Sequence, residues 1–281
     1  MWSKRSRNLF LLGTLTAGMI LLEMALYLTG DLLNREWKFN LFQFCQSVFQ
    51  KLGWTVVGYV LDGLVVLTLA AVAGMLASEA IRSFRFRRRL KEIELEPLTS
   101  EINHRYGKIG AAVHVVESGE PLACTVGLWK PQIVLSTGLI RLLDSRELEA
   151  VLHHEHYHQK HGDPFKTFLL SLFASVFRYI PLLRWLELPY RTAREILADR
   201  YAMERMGSPE ALGSALLKLL KRDKPSRLPL SYVSFAETSV NDRIRHILDP
   251  AKQLPLNLPV RAVLVSASTF LLIGSALLFM L

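Results

Sequence analysis

"ELEAVLHHEHYHQKHGDP" runs from Glu147 to Pro164 and carries five of the chain's eight histidines. Two readings compete for it: a helix built to hold a metal, or a histidine-rich patch. Asp144 stands just ahead, with Glu147 three residues on. That is the spacing of a capping box, in which two side chains satisfy N–H groups at the start of a helix. Leu148, Val151 and Leu152 then recur at helical spacing. Gly162 suits a left-handed stop, and Pro164 cannot continue the helix. The pattern predicts a helix from about Ser145 to His161.

Inside that helix His154, Glu155 and His158 form H-E-x-x-H. Positions i and i+4 share one helix face, so two imidazole nitrogens there can bind one Zn2+ at roughly 2.0–2.1 Å. Glu155, next to the first histidine, is placed to act as general base on a water that the metal activates. Only this register works, because neither His153 nor His156 is followed by a glutamate. His153, His156 and His161 are not needed by the motif and read as surface or hydrogen-bonding histidines.

A catalytic zinc takes three protein ligands and keeps one position open. A third histidine six residues after His158 is ruled out, because Pro164 stands there. The stretch "LPYRTAREILADRYAMERMGSP", Leu188 to Pro209, offers Glu195 and, one turn on, Asp199. Glu195 would bind the metal, and Asp199 would accept a hydrogen bond from a ligand histidine and orient it. The plainer reading is a solvated charged helix, since Arg191, Arg194, Arg200 and Glu204 are close by. The upstream H-E-x-x-H favours the ligand reading.

The rest of the chain points to a membrane. Its 281 residues are 51% hydrophobic, and its mean hydropathy is +0.24, too apolar for an ordinary soluble domain. Leu9–Leu28, Thr55–Ala77 and Ala262–Leu281 each reach the ~20 apolar residues that a transmembrane helix needs. A fourth run, Phe165–Trp185, carries Lys166, Arg178 and Arg184. A charge at the bilayer centre costs ~2.5–3.5 kcal/mol, so this run is expected to be buried in protein or to lie at the surface. It must also start and end on one side, because Glu195 has to reach the metal of His154 and His158. Glu23 and Asp62 fall inside spans, where an ionisable group is a functional candidate. With no basic partner in the spans, the favoured reading is that they face the bundle or lie near the outer surface.

The net charge of +9 sits mostly beside apolar segments. "RSFRFRRRLK", Arg82 to Lys91, follows the second span and is the most basic stretch. The positive-inside rule then puts the N-terminus and Arg82–Pro259 in the cytoplasm and Gly30–Trp54 outside. Cys45 and Cys124 fall on opposite sides and cannot pair. No recognition-helix pattern follows the basic run, so direct nucleic-acid binding is not expected.

The stretch "ACTVGLWKPQIVLSTGLIRLLDSRELEAVLHHEHYHQKHGD" resembles the catalytic core of the membrane metallopeptidases typified by the bacterial beta-lactam sensor-transducers. Gly127, Leu128, Pro131, Ile133, Val134 and Leu135 match that family's strand element, and Glu195 and Asp199 match its E-x-x-x-D helix. Arg243, Ile244 and Ile247 match a later R-I-x-x-I/L element. The resemblance covers roughly Ala123 to Leu248. It implies a gluzincin-type zinc endopeptidase in the bacterial cell membrane, with protein or peptide substrates. In the sensor-transducers the substrate is a cytoplasmic repressor. It also implies that Gln132, Ile133, Val134, Leu135 and Ser136 form an edge strand that pairs with an extended substrate. The plain alternative is a core strand with Ile133 and Leu135 packed inward. The chain ends at Leu281 directly after its last span, so no extracellular penicillin-binding domain is expected. The aromatic loop "KFNLFQFCQSVFQKLGW" is expected on the outer face of the bilayer.

The expected fold is a mainly α membrane protein with three or four transmembrane helices and a cytoplasmic α+β gluzincin-like domain. Residues 1–81 would form a two-helix membrane hairpin, 82–258 the zinc domain, and 259–281 the last span. The leading function is signalling by cleavage of a cytoplasmic regulator, with the lipid bilayer as a partner and a homo-oligomer admitted. Two alternatives stand beside it: removal of damaged membrane proteins, and a metal-binding relay without peptidase activity. Against the relay, Glu155 is no ligand, and a purely structural metal site has no need of it.

Overall fold

The switch from long apolar runs to short β-branched segments, then to capped amphipathic stretches, sets the order of elements. The helices and strands are α1 (Trp2–Leu32), α2 (Leu41–Lys51), α3 (Thr55–Ile93), α4 (Glu96–Arg105), β1 (Val113–Val116), β2 (Ala123–Val126), β3 (Gln132–Ser136), α5 (Thr137–Leu142), α6 (Ser145–His161), α7 (Asp163–Val176), α8 (Pro181–Met206), α9 (Glu210–Leu220), β4 (Tyr232–Ser234) and α10 (Val240–Leu248). The computed structural model describes residues 2–33, 37, 40–220, 232–234, 240–249, 259–266 and 268. The chain divides into two units. One comprises Met1–Asn8, Glu79–Leu169 and Leu188–Leu256, the other Leu9–Ser78, Leu170–Glu187 and Asn257–Leu281.

Among the described residues, two helices, lying mostly in the second unit, are long and apolar enough to cross a membrane, Ser3–Leu32 and Thr55–Ile93. They contain the first two predicted spans. The 39 residues of α3 make a helix of about 58 Å, well beyond the ~30 Å of hydrocarbon. Its arginine-rich end therefore continues the helix instead of starting a loop. The predicted third span, 262–281, lies outside the described residues from 269 onward, and the backbone is helical at 260–266. The fourth apolar run is not one helix. It breaks after Val176, and Pro181 begins α8. The 14 residues of α7 reach only about 21 Å, too short to cross.

The two acids in the predicted spans have local partners in this unit. Glu23 accepts the backbone N–H of Leu41 through Oε2 at 3.0 Å, and its carbonyl accepts Asn40 Nδ2 at 2.7 Å. Asn40 in turn caps α2, its side chain accepting from Gln43 N. Asp62 accepts from the Tyr27 hydroxyl and from Gln46 Nε2. Both acids thus hold α2, the helix formed by the expected aromatic loop, against its neighbours.

The first unit is built on a four-stranded sheet of order β1-β3-β2-β4. β1 pairs parallel with β3, while β2 runs antiparallel to both β3 and β4. This corrects the edge-strand expectation: Gln132, Ile133, Val134, Leu135 and Ser136 form an interior strand, hydrogen-bonded on both sides. The reason lies in its faces. Ile133 and Leu135 pack with Val113, Val115 and Ala123 against Leu148, Val151 and Leu152 of α6 and Leu212 and Leu216 of α9. Val134 points the other way and packs with Val116, Cys124 and Val126 beneath Phe86 and Leu90 of α3. A strand apolar on both faces suits a sheet centre, not a solvated edge. The β2–β3 turn needs its glycine, since Gly127 has φ +105° and a Cβ there would lie 2.8 Å from the Lys130 carbonyl oxygen.

Candidate active site

The helix α6 begins and ends where its caps predict. Asp144 Oδ1 accepts the Glu147 N–H at 2.9 Å, and Glu147 Oε2 accepts the Asp144 N–H at 2.8 Å. Gly162 closes the helix in the left-handed conformation. Glu147 is also tied to α9, accepting from Ser214 Oγ and Lys218 Nζ, each at 2.6 Å. With Leu212, Ala215, Leu216 and Leu219 buried on α9, this anchors α6 by its first turn as well as by its apolar face.

His154, Glu155 and His158 on α6 are fully buried, and Glu195 and Asp199 on α8 are 1% exposed. His154 Nε2 lies 3.1 Å from His158 Nε2. Glu195 Oε2 is 3.4 Å from the first of these nitrogens, and Oε1 is 3.5 Å from the second. One ligand atom from each of His154, His158 and Glu195 fits within 4.8 Å of the others. Helical spacing brings the two histidines together, whereas only the fold brings in Glu195. His153, His156 and His161 stay outside this cluster. His153 meets the Tyr201 ring, His156 meets Gln159, and His161 bonds the Tyr157 carbonyl oxygen.

Each clustered histidine is held from behind by a carboxylate, and each carboxylate by an arginine. His154 Nδ1 is 2.9 Å from Asp199 Oδ1. Arg243 donates Nε to Asp199 Oδ2 at 2.7 Å and lies 3.1 Å from Glu195 Oε2 through Nη1. His158 Nδ1 is 2.8 Å from Asp163 Oδ2, and Arg194 Nη2 is 2.6 Å from Asp163 Oδ1. Of these partners the sequence reading named Asp199. Asp163 is not singled out by the sequence, Arg194 reads there as part of a solvated charged helix, and Arg243 as part of a family element. The position of Asp163, five residues beyond His158, was the one available signal.

These groups suit a divalent cation. With the Nδ1 hydrogens turned to the carboxylates, both Nε2 lone pairs would face each other across 3.1 Å, beside the carboxylate of Glu195. Only a positive charge between them removes the repulsion. Without a metal, a proton does so. Burial and Arg243 oppose protonation of His154, but Asp199 and Glu195 outweigh them and raise it to about 9. Burial would raise Glu195 and Asp199, yet Arg243 and the histidines hold both below the usual carboxylate range. Asp163 is likewise lowered despite its burial, by His158 and Arg194. Glu155 goes the other way. Its burial raises it, with His154 and His158 opposing. Its Oε2 accepts from the Thr125 hydroxyl at 2.7 Å, and its Oε1 has no hydrogen-bond partner among the described residues.

The family model of the BlaR1 peptidase M56 matches residues 35–247. The chain belongs to the BlaR1 peptidase M56 family. The match takes in α6, the Glu195–Asp199 segment of α8 and Arg243 on α10. The M56 chain is also 30% identical over 156 residues to the "Protease HtpX homolog" of Methanothermobacter thermautotrophicus, an alignment that takes in 47% of this chain and 60% of that protein.

Proposed function

We propose that this M56 family member is a membrane-embedded zinc endopeptidase in which His154, His158 and Glu195 hold the metal and Glu155 is the general base. The observation that supports it most is the convergence of three buried ligand-type groups from two separate helices, with the carboxylate of Glu155 beside them carrying an oxygen without a hydrogen-bond partner among the described residues. When bound, the ion supplies Lewis acidity and lowers the pKa of a neighbouring water. Asp199 and Asp163 fix the tautomers that turn Nε2 of His154 and His158 toward it. Glu155 takes one proton from the attacking water as its oxygen bonds to the scissile carbonyl carbon. It then gives that proton to the amide nitrogen as the C–N bond breaks. A carboxylate raised by burial suits this role, because a base works best with a pKa near the working pH.

The finer reading is signalling: cleavage of a cytoplasmic regulator such as a transcriptional repressor, by a catalytic domain of roughly residues 82–258 on the cytoplasmic side of a bacterial cell membrane. The test is the full chain in detergent, wild type against Glu155→Gln, with zinc content measured on both and fluorescein-labelled casein and the chain itself as substrates. The wild type is expected to cleave. The variant is expected to keep its zinc and lose roughly 10^2–10^4-fold in rate. Equal rates, or a zinc-free wild type, overturn the proposal.

A further inference from the structure

Thr125 is a polar side chain on a sheet face that is otherwise apolar. It is fully buried, with Ala123 on one side along β2 and Ile133 across on β3. Its backbone is paired on both sides, with Ile133 of β3 and Val233 of β4, so its position is fixed by the sheet. Its hydroxyl has two acceptors in reach, both on one residue: Glu155 Oε2 at 2.7 Å and the Glu155 carbonyl oxygen at 3.0 Å. A buried hydroxyl must find a partner, and here every partner belongs to the proposed base.

The consequence is a choice between two oxygens. Pinning Oε2 fixes the last torsion of the side chain, whose own preference is broad. It leaves Oε1, which has no hydrogen-bond partner among the described residues, to face the reacting water. The single hydroxyl hydrogen can serve either acceptor. Thr125 therefore holds the carboxylate when it is ionised, by donating to Oε2. A proton taken up on Oε1 leaves Oε2 a carbonyl oxygen that still accepts from Thr125, so the same contact survives proton uptake. We infer that Thr125 is the positioning residue of the proposed reaction, selecting Glu155 Oε1 as the oxygen that carries the proton. This rests on the reading of Glu155 as general base.

The experiment is steady-state cleavage of fluorescein-labelled casein by the full chain in detergent, for wild type, Thr125→Val, Thr125→Ser and Glu155→Gln, with zinc content measured on each. Valine keeps the shape and removes the hydroxyl, and serine restores it. Thr125→Val is expected to keep its zinc and its KM and to lose roughly 10–100-fold in kcat, the usual scale for a residue that orients a catalytic group. Thr125→Ser is expected to recover most of that loss. A wild-type kcat in Thr125→Val overturns the assignment. So does a loss of zinc in that variant, or a failure of serine to rescue, because the hydroxyl would then serve the fold and not the base. An active Glu155→Gln sinks the general-base reading itself. An inactive Glu155→Gln beside a fully active Thr125→Val sinks only the role of Thr125. If casein is not cleaved, a cryo-EM map of Thr125→Val decides: a Glu155 carboxylate unmoved from its wild-type position overturns the inference, and a displaced one supports it.

Discussion

Asp199 and Asp62 are both carboxylates drawn away from bulk water, and their company differs. Asp199 is 1% exposed and meets an imidazole and a guanidinium, with Glu195 sharing the same Arg243. Asp62 meets a phenol and an amide, and Glu23 a backbone N–H. In the first setting opposite charges hold the acids ionised around a point where a cation is wanted. In the second, neutral donors only satisfy hydrogen-bonding capacity and tie helices together. Asp199 is also the more deeply buried, Asp62 and Glu23 being half-buried, but burial alone does not assign the roles. The charge of the neighbours does.

The strongest test of this contrast is Arg243→Met. It leaves Asp199 and Glu195 buried with less positive charge, and breaking a buried pair from one side costs about 3–5 kcal/mol. Thermal melting of the metal-free protein should fall by that amount, and adding Asp199→Asn should recover part of it. An unchanged melting curve would mean that the arginine compensates nothing.

Glu147 is intermediate, an almost buried acid with one cation. Burial would raise it, but Lys218, Ser214 and the Asp144 N–H hold it below its ordinary 4.5. A carboxylate lowered in the folded state contributes stability that is fully present above pH 4.5 and is lost as the pH falls through the lower native value. Glu147→Gln should therefore cost about 1–3 kcal/mol at neutral pH and flatten the acid limb of a stability–pH curve. Parallel curves for the two proteins would show that the carboxylate does not hold α6 to α9.

The smallest effect belongs to Asp62→Asn. An amide oxygen still accepts from Tyr27, so the expected cost is about 0.5–1.5 kcal/mol, with casein cleavage and zinc content unchanged. A large loss of activity would give Asp62 a functional part and erase the contrast.

Local pattern made much of the site legible. His154, Glu155 and His158 follow from a period of 3.6 residues, and Asp144, Glu147 and Gly162 mark the helix ends through contacts within a few positions. The apolar runs at 9–28 and 55–77 are legible for the same reason, since hydropathy adds along a helix. The strand at 132–136 is legible as a strand, but its place in the sheet is not. A run of Ile133, Val134 and Leu135 reads as a strand anywhere, and only the presence of β1 and β2 on its two sides makes it central.

What the sequence determined by itself is thus whatever a single helix or strand fixes: the pairing of His154 with His158, the caps of α6, and the apolar character of α1 and α3. The tertiary structure alone decided which carboxylate stands behind each histidine, that Arg243 reaches back 44 residues to Asp199, and that Thr125 holds Glu155 from 30 residues away. Such partners are selected by complementary charge and unmet hydrogen bonds in a closed interior, and no periodicity along the chain carries that information.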